Sequence, residues 1–137
     1  TPLPASFTPR PSAEWIRMAD AVAARSNQTV LLDLRSPAEF DGQASRAKRA
    51  GHIPGALNWP RNTLIAPDGT LLPADELRRQ LAGLGVTDDA SEVITYCNGG
   101  VSASMGLLAL RVAGYRNSAN YDGSWKDWGN DERRPVE

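Results

Sequence analysis

The sequence predicts an α/β domain with a mainly parallel sheet flanked by helices. Two short apolar runs, TVLLDLR at residues 29–35 and SEVITY at residues 91–96, are typical of strands buried on both faces, as in parallel sheets. Helical patterns separate these runs, and that alternation favours parallel strands joined by helices. The length of 137 residues fits one domain, and no internal repeat is visible.

The first part of the chain divides into an arm and a helix. Residues 1–11 contain four prolines and are expected to form an extended linker arm. The folded domain is expected at residues 12–130 and a C-terminal tail at residues 131–137. A helix is predicted from Ser12 onwards, because Trp15 begins a series of apolar residues at helical spacing that should face inward.

The remaining elements alternate in the same way. GHIPGALN at residues 51–58 predicts a turn followed by a short strand, and residues 73–85 predict a helix with an acidic first turn. Residues 102–113 predict a helix that is apolar on nearly every side and therefore buried. A last strand is expected at residues 118–121, before a turn and short helix at residues 122–129.

Composition excludes several classes of function. The net charge of −1 comes from 15 basic and 16 acidic side chains mixed along the chain, so neither nucleic acid nor an anionic membrane is an expected partner. No apolar stretch approaches the roughly 20 residues of a membrane span. One cysteine, Cys97, and one histidine, His52, cannot form an internal disulfide or a four-ligand zinc site. Neither a metal ion nor another cofactor is expected.

The segment ITYCNGGVSAS contains the only cysteine, Cys97, at the end of a predicted strand. The glycine pair Gly99 and Gly100 allows a sharp turn, in which consecutive N–H groups can point inward at an anion. The helix expected from Ser102 adds its positive N-terminal end. Both features favour a thiolate nucleophile, although Cys97 could also be a packed apolar side chain. Ser102 could cap the helix or donate its hydroxyl to the thiolate.

Two other cysteine chemistries fit less well. Cysteine phosphatases hold phosphate with an arginine six positions after the cysteine, and here that position is Ala103. A papain-like Cys–His enzyme needs a histidine base, for which the only candidate is His52, between turn residues. A histidine in that setting is more often a structural hydrogen-bonding group.

Four motifs, LLDLRSPAEF, GHIPGALN, ITYCNGGVSAS and YDGSWKDWG, follow one another in that order. With this order and spacing, residues 12–130 resemble the rhodanese (thiosulfate sulfurtransferase) domain. The resemblance is strongest to the catalytic C-terminal domain of two-domain rhodaneses, and FTPRP at residues 7–11 resembles the connector before it. It implies that an N-terminal rhodanese-like domain precedes this one in a longer protein.

The resemblance implies a three-layer fold with a five-stranded parallel sheet, and a sulfurtransferase activity. Cys97 would take the outer sulfur of a small anionic donor such as thiosulfate and pass it, as a persulfide, to cyanide or a thiol acceptor. Loop N–H groups would stabilise the anionic persulfide. The loop residues expected to bind substrate are Asn98, Gly99, Gly100, Val101 and Ser102.

The sequence departs from the family pattern after the cysteine. Mammalian-type rhodaneses have basic residues where this chain has Asn98 and Gly99, and mercaptopyruvate sulfurtransferases have a serine where it has Gly99. Positive charge for the donor is therefore expected from Arg46 and Arg49 in SRAKR. Two alternatives stay open: a mercaptopyruvate sulfurtransferase, and a persulfide carrier or docking module with little turnover of small donors. A single reactive thiol suits a reducing, cytoplasmic location.

Overall fold

The computed structural model describes residues 6–10 and 12–137. One sheet is formed by five strands: β1 (Ile16–Arg17), β2 (Thr29–Asp33), β3 (Leu57–Asn58), β4 (Glu92–Tyr96) and β5 (Ser118–Tyr121). They are ordered β1-β5-β4-β2-β3, and all neighbours run parallel. The predicted α/β fold with a five-stranded parallel sheet is confirmed. Residues 1–5 and 11 of the predicted linker lie outside the described residues.

Helices cover both faces of the sheet. The α-helices are α1 (Ala19–Ala23), α2 (Pro37–Phe40), α3 (Ala74–Gly83), α4 (Val101–Val112) and α5 (Ser124–Trp128), and 3₁₀ helices span Ala13–Trp15 and Arg61–Leu64. Successive residues of β2 face opposite ways: Leu32 packs in a core with α3 and α4, and Leu31 packs in a second core with α1 and α5. The sheet is therefore the middle of three layers, with an apolar core on each side.

The chain enters the domain differently from the prediction. The helix expected from Ser12 begins later, as α1 at Ala19. The Ser12 hydroxyl caps only the 3₁₀ turn, accepting from the N–H of Glu14 at 3.4 Å. The next residues form β1, in which Ile16 pairs with Asn120 of β5. Pairing with the open edge of β5 satisfies backbone groups that a helix would bond internally. Trp15, expected to face inward, is 42% exposed and lies under the guanidinium of Arg111.

Helix α4 is buried on one side only. Leu107 and Leu110 are buried, whereas Val101 is 84% and Leu108 56% exposed. The prediction of a helix buried all round is therefore wrong, because the helix rests on the sheet by one face. No helix among the described residues is long and apolar enough to span a membrane.

Residues 131–137, predicted as a tail, pack against the domain. Glu137 and His52 exchange two backbone hydrogen bonds, at 2.8 and 3.0 Å. The indole N–H of Trp128 donates to the carbonyl of Pro135 at 2.7 Å, and Val136 packs against the core of α1 and α5. The segment is thus held beside the turn that contains His52.

Candidate active site

Cys97 follows β4, a central strand of the sheet, and its side chain is 4% exposed. It borders a cavity of about 520 Å³ lined by residues of the segments 34–39, 60–62 and 97–102 and by Arg46. The cavity lies at the carboxyl ends of β2 and β4, the edge of a parallel sheet where ligands bind. The lone thiol is therefore placed where a small substrate can reach it.

Ser124, at the start of α5, closes the Cys97 loop. Its Oγ accepts hydrogen bonds from the N–H groups of Cys97 at 3.0 Å and Gly100 at 3.1 Å, and donates to the carbonyl of Tyr121 at 2.8 Å. The same oxygen lies 4.0 Å from the Cys97 Sγ. Ser124 has a φ of 53°, which is uncommon outside glycine. Ser124 was not predicted as a site residue, although it belongs to the motif YDGSWKDWG.

Four loop N–H groups are available to bind an anion. Those of Asn98, Gly99, Val101 and Ser102 have no hydrogen-bond acceptor among residues 6–10 and 12–137. They stand at the positive end of the 12-residue helix α4. Gly100, also predicted to bind substrate, differs, because it is buried and its N–H is taken by Ser124.

The two glycines of the loop have different structural demands. Gly100 is the N-cap of α4, where Ser102 was expected, and its φ is +84°. A Cβ on Gly100 would lie 2.5 Å from Asp122 Oδ1 and 2.8 Å from the Asp122 carbonyl oxygen, whereas a Cβ on Gly99 would meet nothing within 4 Å. Only Gly100 therefore requires glycine for both its backbone angle and its space.

Gly100→Ala should damage the loop, and Gly99→Ala is the matched control. We expect Gly100→Ala to lower the free energy of unfolding by about 1–3 kcal/mol, from the strained φ and the collision with Asp122. Gly99→Ala should stay within about 0.5 kcal/mol of the parent. Urea unfolding followed by tryptophan fluorescence measures both, and equal stability of the two variants would contradict this description of the loop.

Glu39 connects α2 to the loop. Its Oε1 accepts from the Asn98 Nδ2 at 2.8 Å, and its Oε2 accepts from the Ser36 hydroxyl at 2.9 Å within a capping box. Burial alone would raise the pKa of Glu39, but the hydrogen bonds from Asn98 and Ser36 outweigh it and lower the pKa. Glu39 is therefore a carboxylate that holds the Asn98 side chain at the cavity wall.

The structure separates the two arginines predicted to bind the donor. Arg46 lines the cavity, with its Nε 3.6 Å from Glu39 Oε1. Arg49 does not line it, because its guanidinium donates to backbone carbonyls, including those of Trp128 at 2.9 Å and Arg134 at 2.6 Å. The position of Arg49 thus gives it a structural role: it ties the basic segment to the C-terminal residues.

Two further arginines line the cavity and were not predicted as site residues. Arg35 is buried, forms a bidentate ion pair with Asp33 and lies 4.5 Å from the Trp125 ring. Arg61, in the 3₁₀ helix after β3, belongs to no motif that could have identified it as a site residue.

His52 lies outside the cavity lining, with its Nδ1 2.9 Å from the Phe40 carbonyl oxygen. No group of three metal-ligating side chains occurs in the described part of the chain.

The fold and the site define an α/β domain built around a reactive-cysteine loop. Residues 18–131 match the rhodanese-like domain family, and the chain belongs to that family. A Haloferax volcanii protein provisionally named a thiosulfate sulfurtransferase is 44% identical in an alignment of 115 positions that covers 78% of this chain and 40% of that protein. The sulfur carrier protein TtuD of Thermus thermophilus is 38% identical in an alignment of 118 positions that covers 80% of this chain and 41% of TtuD.

Solved structures agree with the fold. EanB with ergothioneine covalently linked to a cysteine persulfide matches 100% of this chain and 35% of its own, at 26% identity and a TM-score of 0.87. The chain spans about two-fifths of the length of the two curated relatives named above, 40% of one and 41% of the other.

Proposed function

We propose that this domain is a sulfurtransferase that moves sulfane sulfur from thiosulfate, through a Cys97 persulfide, to cyanide or a thiol. The observation that carries the proposal is the position of the only thiol, in a cavity beside four N–H groups without acceptors in the described residues. Such groups stabilise the thiolate before the reaction and the persulfide anion after it. No general base is needed for either state.

The proposed chemistry balances in two steps. The Cys97 thiolate attacks the outer sulfur of thiosulfate, a new S–S bond forms, and the old S–S bond breaks with its electron pair leaving on sulfite. Cyanide or a thiolate then attacks the outer sulfur of the persulfide, forming thiocyanate or a new persulfide and restoring the Cys97 thiolate. The loop retains one negative charge throughout, which the same N–H groups can stabilise.

Thiosulfate is the favoured donor because of Gly99. A dedicated mercaptopyruvate enzyme of the family has a serine hydroxyl there, and this chain has none. The relative from Haloferax volcanii carries a thiosulfate sulfurtransferase name, which supports the same donor. We therefore place mercaptopyruvate second.

A persulfide carrier is the second candidate function. The relative TtuD is named a sulfur carrier protein. Val101 lines the cavity and is 84% exposed, so an apolar side chain stands at the opening where a protein acceptor would approach. Because the motifs resemble the catalytic C-terminal domain of two-domain rhodaneses, and the chain spans 40% of the Haloferax volcanii relative, we also propose that a rhodanese-like domain precedes it. The single thiol suits a reducing, cytoplasmic location.

Intact mass spectrometry tests the proposal. After incubation with thiosulfate, the protein should gain one sulfur atom, and cyanide should remove it with release of thiocyanate. Loading by mercaptopyruvate at the same concentration should be slower. A folded protein that gains no sulfur from either donor would contradict the proposed activity, and faster loading by mercaptopyruvate would contradict the choice of donor.

A further inference from the structure

The charged side chains that line the cavity differ in whether they have a partner of opposite charge. Three arginines and one glutamate contribute to the lining: Arg35, Arg46, Arg61 and Glu39. The Arg35 guanidinium is neutralised by Asp33, at 2.6 Å with both side chains fully buried. Arg46 has Glu39 as its partner at 3.6 Å. After these two pairs are formed, the charge left over in the lining is that of Arg61.

Arg61 has no side-chain hydrogen bond and no ion pair with residues 6–10 and 12–137. Its backbone, by contrast, is fixed, since its N–H donates to the carbonyl of Leu34 at 3.1 Å. The same 3₁₀ helix ends at Leu64, which is fully buried in the core. The neighbouring Trp59 is buried and donates its indole N–H to Gln80 at 2.8 Å. A rigid segment therefore presents a guanidinium that is free to bind a ligand.

We infer that Arg61 is the residue that selects an anionic sulfur donor at this site, an inference that rests on the proposed function. A guanidinium offers a planar set of N–H donors that matches two oxygens of a sulfonate group. Thiosulfate presents such a group, and when its S–S bond breaks the electron pair leaves on sulfite, whose oxygens Arg61 continues to bind. Arg61 therefore acts in the loading step. Discharge of the persulfide to an uncharged thiol reagent makes no use of it.

Arg61→Ala tests this assignment, with Arg116→Ala as the matched control. Arg116 is also exposed and lies between α4 and β5, at the opposite end of the sheet from Cys97. Arg61→Ala should lower the second-order rate constant of sulfur loading from thiosulfate about tenfold or more, mostly through a higher KM, as expected for a lost charged hydrogen bond. Arg116→Ala should load like the parent. Arg61→Lys should recover part of the rate, because it keeps the charge but not the planar donor set.

The discharge step separates selection of the donor from damage to the site. Each variant is loaded to completion at high thiosulfate, and removal of the sulfur by dithiothreitol is then timed. Unchanged discharge in Arg61→Ala supports the inference, whereas an equal fall in loading and discharge would overturn it in favour of a structural role. Loading by Arg61→Ala at the parent rate would also overturn it. Failure of the parent protein to load would instead contradict the proposed function.

Discussion

Replacing Cys97 by serine should abolish sulfur loading from thiosulfate. No other thiol exists in the chain, and a serine hydroxyl is neither ionised at neutral pH nor able to form a persulfide. Turnover with cyanide should fall at least about a thousandfold, as for other enzymes that lose their nucleophile. Intact mass should show no added sulfur, and a thiocyanate assay should show only the rate of thiocyanate formation measured in buffer without protein.

The activity of the serine variant must be compared with that of the parent protein at the same folded fraction. Cys97 is buried, so the substitution adds a small desolvation cost, and thermal unfolding by circular dichroism identifies the folded fraction. Cys97→Ala serves as a second variant with no hydroxyl. Transfer of sulfur to cyanide by either folded variant would show that sulfur does not pass through Cys97.

Replacing Arg35 by methionine should cost about 3–5 kcal/mol of unfolding free energy, because it leaves the Asp33 carboxylate buried without its counter-charge. Both side chains of the pair are fully buried, and Arg35 also donates to the Gly51 carbonyl at 2.8 Å and stacks on Trp125. Burial would lower the pKa of Arg35, but the hydrogen bonds and charge of Asp33 outweigh it and raise the pKa, so the side chain stays charged. Urea unfolding measures the loss of stability.

Two comparisons separate charge burial from lost packing. Arg79→Met removes an exposed arginine paired with Asp75 and Glu76 on α3, and its cost should stay below about 0.5 kcal/mol. The double variant Asp33→Asn, Arg35→Met should be more stable than Arg35→Met alone, since no buried charge remains. A double variant as unstable as the single one would show that packing, and not charge, sets the cost.

The sequence predicted well those elements whose pattern is local. The β2 strand, with its run of leucines, and the helix at Ala74–Gly83 were expected within a few residues of their observed bounds. The β1 strand was not expected, because two residues carry no periodicity and the strand exists only through pairing with β5. Helix α4 was expected to be buried all round, because composition gives apolarity but not which neighbours cover each face.

The residues of the Cys97 loop were predicted from the sequence, whereas the arginines that surround the loop were predicted less well. Cys97 and the residues after it are contiguous in sequence, so one motif was enough to place them together. The partners of arginines depend on the fold: Arg46 lines the cavity, Arg49 bonds to the C-terminal segment, and Arg61 joins the site from a segment without a motif. Long flexible side chains can reach many acceptors, and a sequence does not say which one is near.

The Ser124 hydroxyl accepts hydrogen bonds from the N–H groups of both Cys97 and Gly100, so we expect the loop between them to move little during turnover. The loop N–H groups are already oriented in the folded protein, so the free energy of orienting them is not needed again in each catalytic cycle. Such preorganisation keeps the reorganisation energy of the reaction low. We therefore expect the empty and the sulfur-loaded loop to share one backbone shape. Because such a loop needs no lid or hinge, we expect binding of the donor and release of the sulfur-loaded acceptor to limit the turnover rate.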